Sequence, residues 1–393
     1  MSLKRIFDWL VALFIFLIPV SPFASVRVQI LAIGLAIILN VFYGFKSNFL
    51  SKTWDIGIYL LVLIFGLLYS EDIDTGMRVL ETSFSFIGIP IILNSYKDFG
   101  ISRLKKLLYS FTLGLFVACV LCLINAFVSY FKSGSPNVFF FYELTRIIDS
   151  HPTYLAYYLI FSITFCLYLL DLENGFQHAF VLSSLVLFFF LMLLLTGGQT
   201  TFVSVLLVFS FFILKFFLEK RTKSRKLIFV LTSAMTASML VFSSFDNNNE
   251  REKLNDSWDR MVVWKSALKA SSNILLGEGT GDYKIVLNEY YRAHGMEDFA
   301  KNNFNSHNQF VQILFANGIL GLIALLLLIA RPLFLAFKKD DAFGILIFFP
   351  FIIYGMTEVF LGRYQGVAFF SLAHQLLIIY YMSIKSTLPL QSV

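Results

Sequence analysis

Charge is scarce in this chain of 393 residues: Asp, Glu, Lys and Arg together make up 14%, against about a quarter in soluble domains. That shortage excludes an ordinary soluble fold. Cysteine is scarcer still. Cys119, Cys122 and Cys166 each lie in an apolar run, which leaves no disulfide framework or metal cluster and marks them as small buried hydrophobes. No long basic tail accompanies the formal charge of +6, so the excess does not imply nucleic acid; membrane proteins collect Lys and Arg in cytoplasmic loops. The apolar run after Lys4 and Arg5 opens like a signal peptide but lacks a clear cleavage site, and it is expected to remain as a helix. No internal repeat is evident.

What fills the chain is hydrocarbon. Hydrophobic residues reach 58%, with 47 Phe and 18 Tyr, and mean hydropathy is +0.76. Apolar windows near twenty residues recur along the whole length, so the fold class is an all-α polytopic membrane protein. About twelve transmembrane helices are predicted, near 6–22, 27–45, 54–70, 79–94, 107–130, 154–170, 179–195, 201–218, 227–243, 309–330, 343–357 and 367–383, with ends uncertain by a few residues. With the N-terminus inside, 18 of the 31 basic residues fall in inner segments, five in short outer loops and eight in one long outer loop. Long loops count little, so both termini are expected in the cytoplasm.

That long loop divides the chain into 1–243, 244–308 and 309–393. It opens with FDNNNEREKLND, a flexible stretch. SWDRMVVWKSALKASSN follows with helical apolar spacing and Asp256 or Ser257 as candidate N-cap. LLGEGTGDYK is a glycine-rich turn, and Asp282 or Tyr283 opens a second helix ending near Gly295. A folded outer loop is therefore expected.

Unusual residues gather on the outer side. His307 ends the long loop, in KNNFNSHNQFVQILFAN, where a polar run with Asn305 meets a strongly apolar helix. Arg260 lies on the loop's first helix. Arg146 and His151 stand in YELTRIIDSHPTYLAYY, and Glu358 and Arg363 in MTEVFLGRYQG. Charges so near hydrocarbon are costly unless paired or facing a wet cavity, and converging guanidinium groups suit a phosphate or diphosphate. Each has a plainer reading: His307 as an interfacial anchor, Arg146 snorkelling to headgroups, His151 fixing a helix start before Pro152, Arg260 as a surface charge, Glu358 and Arg363 pairing with each other. Asp72-Ile-Asp74 has the spacing of some metal-diphosphate sites, but solvated acids at a helix start are the favoured reading. GEGTGDY lacks the preceding strand and the GK[ST] ending of a nucleotide loop.

LLLTGGQTTFVSVLL, the R-x-x-x-W of the long loop, LLGEGTGDY and HNQFVQILFANGILGLIALL, in that order, together resemble the O-antigen ligase and polymerase family of bacterial envelope glycosyltransferases. HPTYLAYY and GRYQG are similar to one branch of it. The resemblance implies a lipid-carrier (GT-C-like) architecture in the inner membrane, with a periplasmic active site. It implies transfer of a glycan from an undecaprenyl-diphosphate carrier, with inversion and with no required metal, nucleotide or other cofactor. It carries His307 over as the catalytic histidine and Arg260 and Arg146 as the basic residues that bind the diphosphate, with Arg260 counted among the catalytic residues. His151, Asn305, Glu358 and Arg363 are assigned to substrate binding, with Gln199, which stands where the TG turn of the family continues with Ser-Arg.

The implied partners are the lipid-linked donor, membrane lipids, and an acceptor that is either lipid A–core or a second lipid-linked glycan; no nucleic acid is expected. Ligase is favoured over polymerase, with transfer to protein a third possibility. A histidine, whose unperturbed pKa is roughly 6.5, suits a base for the acceptor hydroxyl. A transporter or flippase is the rival of another class. It would place ionisable groups at the midplane, whereas the inner halves of most spans read as clean hydrocarbon. A sensor or scaffold would not need arginines at three separate loop ends.

Overall fold

The computed structural model describes residues 2–44, 49–96, 98–172, 176–197, 199–218, 223–246 and 256–383, and among these every regular element is a helix. The chain opens with α1 Leu3–Val20, α2 Pro22–Tyr43, α3 Phe49–Leu68, α4 Ile73–Thr82, α5 Ser85–Asn94 and α6 Ile101–Ser133. Next come α7 Phe141–Thr145, α8 Pro152–Leu172, α9 Phe176–Thr196, α10 Gln199–Leu218 and α11 Lys223–Asp246. The rest is α12 Asp256–Ala270, α13 Tyr283–Ala293, α14 Glu297–Lys301, α15 Gln309–Lys338, α16 Ala342–Gly355 and α17 Tyr364–Ser383.

Each predicted span contains a helix, because an apolar backbone in lipid can satisfy its N–H and C=O groups only internally. Among the described residues, eight stretches could cross a membrane by length and composition, with Thr201–Lys215 and Ala342–Gly355 apolar but shorter. The chain is thus a polytopic α-helical membrane protein. The span expected at 79–94 begins at Ile73 instead and is broken into α4 and α5 at Ser83 and Phe84.

Two compact units divide the described chain. One comprises Met1–Phe7, Gln29–Ile101 and Lys253–Val393; the other comprises Asp8–Val28 and Ser102–Glu252. In the first, α15 packs on α3, α16 and α17, and α17 packs on α5. The expected outer loop is folded over residues 256–304: Val263 and Ala267 of α12, Leu287 and Tyr291 of α13 and Ala300 of α14 close a small apolar core on Phe315 of α15. Its opening stretch, from 247 to 255, and the side chains of Asp256 and Ser257 lie outside the described residues.

The glycine-rich turn joins α3 to a break in α15. Gly318 takes φ 63°, ψ −162°, which interrupts the helical hydrogen-bond ladder. The turn supplies partners there: Glu278 N donates to Phe315 O and Gly279 N to Ala316 O, both at 2.9 Å, while Ile319 N donates to Ile274 O at 3.0 Å. On its other side Thr280 N donates to Gly66 O at 3.2 Å, Thr280 Oγ1 to Leu63 O at 2.7 Å and Gly281 N to Ser70 Oγ at 2.9 Å. Gly277 has φ +74°, and a Cβ there would lie 2.5 Å from Gly318 N, so only glycine lets the two backbones approach. The N–H groups of residues 278–281 therefore all have protein acceptors. This turn is a wedge that repairs a broken helix, with none of these donors left for a phosphate.

In the second unit α8 is buried along nearly its whole length and packs on α9, α10 and α11. Asp171 near its end holds Lys215 at 2.6 Å and Arg225 at 2.8 Å. A segment with 3-10 turns at Pro136–Phe139 and Arg146–Ile148 leads through α7 into α8, and Phe141 in it lies against Gly197 of the TG turn.

Candidate functional site

The polar run that stands against the apolar α15 has a task for each residue. Asn308 caps the helix: its Oδ1 accepts from Phe310 N at 2.9 Å and Val311 N at 3.0 Å, satisfying two of the orphan donors of a helix start. Its Nδ2 donates to Met356 O at 3.1 Å. Gln309 Oε1 accepts from Leu361 N at 2.8 Å. Ser306, fully buried, sets Oγ 3.0 Å from Gln312 Oε1 and 2.9 Å from Asn308 O, two acceptors that share its one proton. Asn305 Oδ1 accepts from His307 N at 2.8 Å, an Asx turn that holds His307 at φ 43°.

The run thus ties the start of α15 to the connection between α16 and α17, and the residue it turns outward is His307. The imidazole has a side-chain exposure of 35% and sets Nδ1 3.8 Å from Glu358 Oε2. That is ion-pair range and too long for a hydrogen bond. Phe304 meets the ring edge to face at 5.8 Å. With Nδ1 turned to Glu358, Nε2 faces away from it. Arg363 is exposed, and its carbonyl accepts from Gly366 N and Val367 N at the start of α17.

Beside this group a recess of about 110 Å³ opens between α3, α4, α13, α15 and the 359–362 turn. Arg78, Tyr283, Lys284, Gln309 and Gln312 line it. Arg78 and Lys284 act on a common neighbour, Asp72. The carboxyl of Asp72 is held below the usual range first by its hydrogen bonds with Thr75 and further by both cations. Asp72 caps α4, accepting from Thr75 N at 3.0 Å, and the Asp282 carboxylate accepts from Glu71 N at 2.9 Å and Asp72 N at 2.7 Å. The acids of Asp72-Ile-Asp74 thus stand at a helix start. Burial pushes the Tyr283 hydroxyl up to about 12, so it is neutral at physiological pH.

The structure brings His307, Asn305 and Glu358 together, with Arg363 at the end of the same connection. Arg260 is half-buried on α12, the helix that packs against α13 and α15. Arg146 and His151 belong to the second unit. There Arg146 has a side-chain exposure of 79% and lies 3.8 Å from Glu143. His151 Nδ1 accepts from Thr153 N at 3.2 Å, at the start of α8, and Nε2 lies 2.6 Å from Tyr142 Oη. Gln199 heads α10, and its side chain lies outside the described residues.

Sequence reasoning missed Gln309 and Gln312, although two glutamines three apart on an apolar helix mark one inward polar face. It also passed over Arg78 and Lys284, single charges with no local pattern. And α3, α15 and α17 are exceptions to the expected clean hydrocarbon: Asp55 and His374 are fully buried within membrane-spanning helices, with Arg331 beside them.

No curated protein matches the chain. Residues 184–326 match the family model described as O-antigen ligase. The match takes in the TG turn, Arg260, the glycine wedge and the run from Asn305 to Gln312, and it stops short of Glu358 and Arg363 on one side and Arg146 and His151 on the other. Over that segment, about a third of its length, the chain is similar to the O-antigen ligase family.

Proposed function

We propose that the chain transfers a glycan from undecaprenyl diphosphate to an acceptor hydroxyl, acting as a ligase on lipid A–core, with the joining of lipid-linked repeats as the nearest alternative. The match of residues 184–326 to the O-antigen ligase model supports a glycosyl-transferring membrane enzyme of the ligase or polymerase type. The observation that carries the reading is His307, turned outward by its own capping run, backed by Glu358 and set beside a recess bearing two cations. In this reading Nε2 takes the proton of the acceptor hydroxyl. The freed oxygen forms a bond to the anomeric carbon as the carbon–oxygen bond to the diphosphate breaks. Glu358 holds the ring and offsets the charge of the imidazolium. The diphosphate leaves as an anion, and attack opposite to it inverts the anomeric centre. Arg260 and Arg363 are candidates for steadying that anion.

The proposal places twelve spans in the inner membrane, a GT-C-like architecture, both termini in the cytoplasm and residues 244–308 in the periplasm, where the glycan of the donor would project. The transporter reading draws on one observation, the ionisable cluster of Asp55, Arg331 and His374 inside the spans. One assay separates the readings: purified protein, synthetic undecaprenyl-diphosphate glycan, and either lipid A–core or a second lipid-linked repeat, with EDTA present throughout. Transfer to lipid A–core is the expected result. A ladder of lengthened lipid-linked chains means a polymerase, and folded protein that transfers to neither acceptor returns the case to the transporter.

A further inference from the structure

The recess beside His307 has apolar walls, into which reach two cations, Arg78 and Lys284, and two amides, Gln309 and Gln312. Gln312 is only 6% exposed, and its Oε1 is taken by Ser306 Oγ at 3.0 Å and Ser306 N at 3.3 Å. That fixes the amide the other way round, and Nε2 is buried with no hydrogen-bond partner. A buried amide donor without a partner is costly and points to a ligand acceptor. Gln309 is held in the same sense, with its oxygen on Leu361 N at 2.8 Å, which turns its own Nε2 away from that contact. Arg78 comes to the recess from α4 and Lys284 from the first turn of α13. Asp72, on which both cations act, accepts from Thr75 N, and Asp282 accepts from the backbone of Glu71 and Asp72. The volume of about 110 Å³ falls well below the roughly 300–1,000 Å³ of sites that enclose a drug-sized ligand. It suits one compact anionic group and excludes a glycan.

We propose that this recess binds the phosphate-bearing headgroup of a lipid-linked substrate, with Arg78 and Lys284 gripping its oxygens and Gln312 Nε2 donating from the buried side. The assignment rests on the transferase reading and adds a positively charged clamp from residues that neither the motifs nor the charge pattern single out. Guanidinium can meet two oxygens at once while the ammonium acts as a point charge. Ser306 braces Gln312 and immediately precedes His307, so the anion would sit beside the base, as a leaving group must.

The test is binding by full-length protein in nanodiscs. The probes are undecaprenyl diphosphate, undecaprenyl monophosphate and inorganic pyrophosphate, and the proteins are wild type, Arg78→Gln, Lys284→Gln and Arg78→Lys. Each glutamine variant should weaken binding of undecaprenyl diphosphate by about 10- to 100-fold, the value of a charge-assisted hydrogen bond, at an unchanged melting midpoint. Arg78→Lys should recover part of the loss. Pyrophosphate that competes equally well identifies the bare anion as sufficient; competition by the lipid-linked forms alone identifies a headgroup held with its chain. A folded double variant, Arg78→Gln with Lys284→Gln, that binds all three probes within about twofold of wild type overturns the site. If that happens while wild type still transfers glycan, the transferase reading stands without this clamp. If binding follows Arg78 and Lys284 but no glycan moves, the clamp stands and the transferase reading falls.

Discussion

His307 sits at φ 43°, a left-handed conformation that costs a residue with a side chain roughly 1–2 kcal/mol and that the Asn305 turn holds in place. Backbone and imidazole can therefore be separated by substitution. His307→Gly keeps the conformation and removes the ring, whereas His307→Ala removes the ring and retains the strain. Both variants are expected to lose transfer by at least about 100-fold, the lower range for a general base, with the glycine form no less stable than wild type. Turnover and melting midpoint measured together check this, and an active glycine variant would strip His307 of its role. Glu358→Gln should keep the fold and slow turnover about tenfold, since it removes only the charge that faces the imidazole. At this scale the junction histidine is legible because a polar run against a long apolar helix needs a reason. Lys284 is not, because a lone lysine on a mixed helix looks like any solvated charge until α4 brings Arg78 beside it.

At the scale of elements the apolar runs are legible and their interruptions are not. ILFANGILGLIALL reads as an unbroken span, since glycine is common in membrane helices, and nothing local shows that Gly318 leaves the ladder. The reason lies some forty residues earlier, in a turn whose N–H groups take the freed carbonyls. Gly318 occupies a region of φ, ψ that is essentially glycine-only, and a Cβ there would lie 2.1 Å from Leu275 O. Gly318→Ala is expected to destabilise the protein by at least about 1–3 kcal/mol, seen as a lowered melting midpoint in detergent. Transfer should fall with it, because the wedge and the recess share Thr280 and Asn317. Gly57 in α3 has nothing within 4 Å of a built Cβ, so Gly57→Ala should be neutral or slightly stabilising. Equal behaviour of the two would mean that the kink carries no load.

At the scale of the whole molecule, which spans exist could be read from hydropathy, but which spans touch could not, because those contacts join residues hundreds of positions apart. The first unit shows this at Asp55. Its carboxylate takes Arg331 Nη1 at 2.5 Å and His374 Nε2 at 2.8 Å, so α3, α15 and α17 meet at one buried charge. Gln375 Nε2 lies 3.2 Å from both Lys52 O and His374 Nδ1. An amide nitrogen only donates, so Nδ1 accepts, and the proton assigned to Nε2 binds Asp55. The cluster is then one carboxylate held by a guanidinium and an imidazole, a latch between three helices. Removing one partner of a buried pair costs about 3–5 kcal/mol, whereas replacing the whole set with apolar residues of similar volume is often neutral or better. Asp55→Ala should therefore unfold the protein at markedly lower temperature. The triple variant Asp55→Leu, Arg331→Met, His374→Phe should regain most of that loss and still transfer glycan, because Asp55 holds helices together and has no part in the chemistry proposed for His307. A triple variant that is stable and inactive would give the opposite answer: the buried charges would belong to the working cycle, as the transporter reading requires.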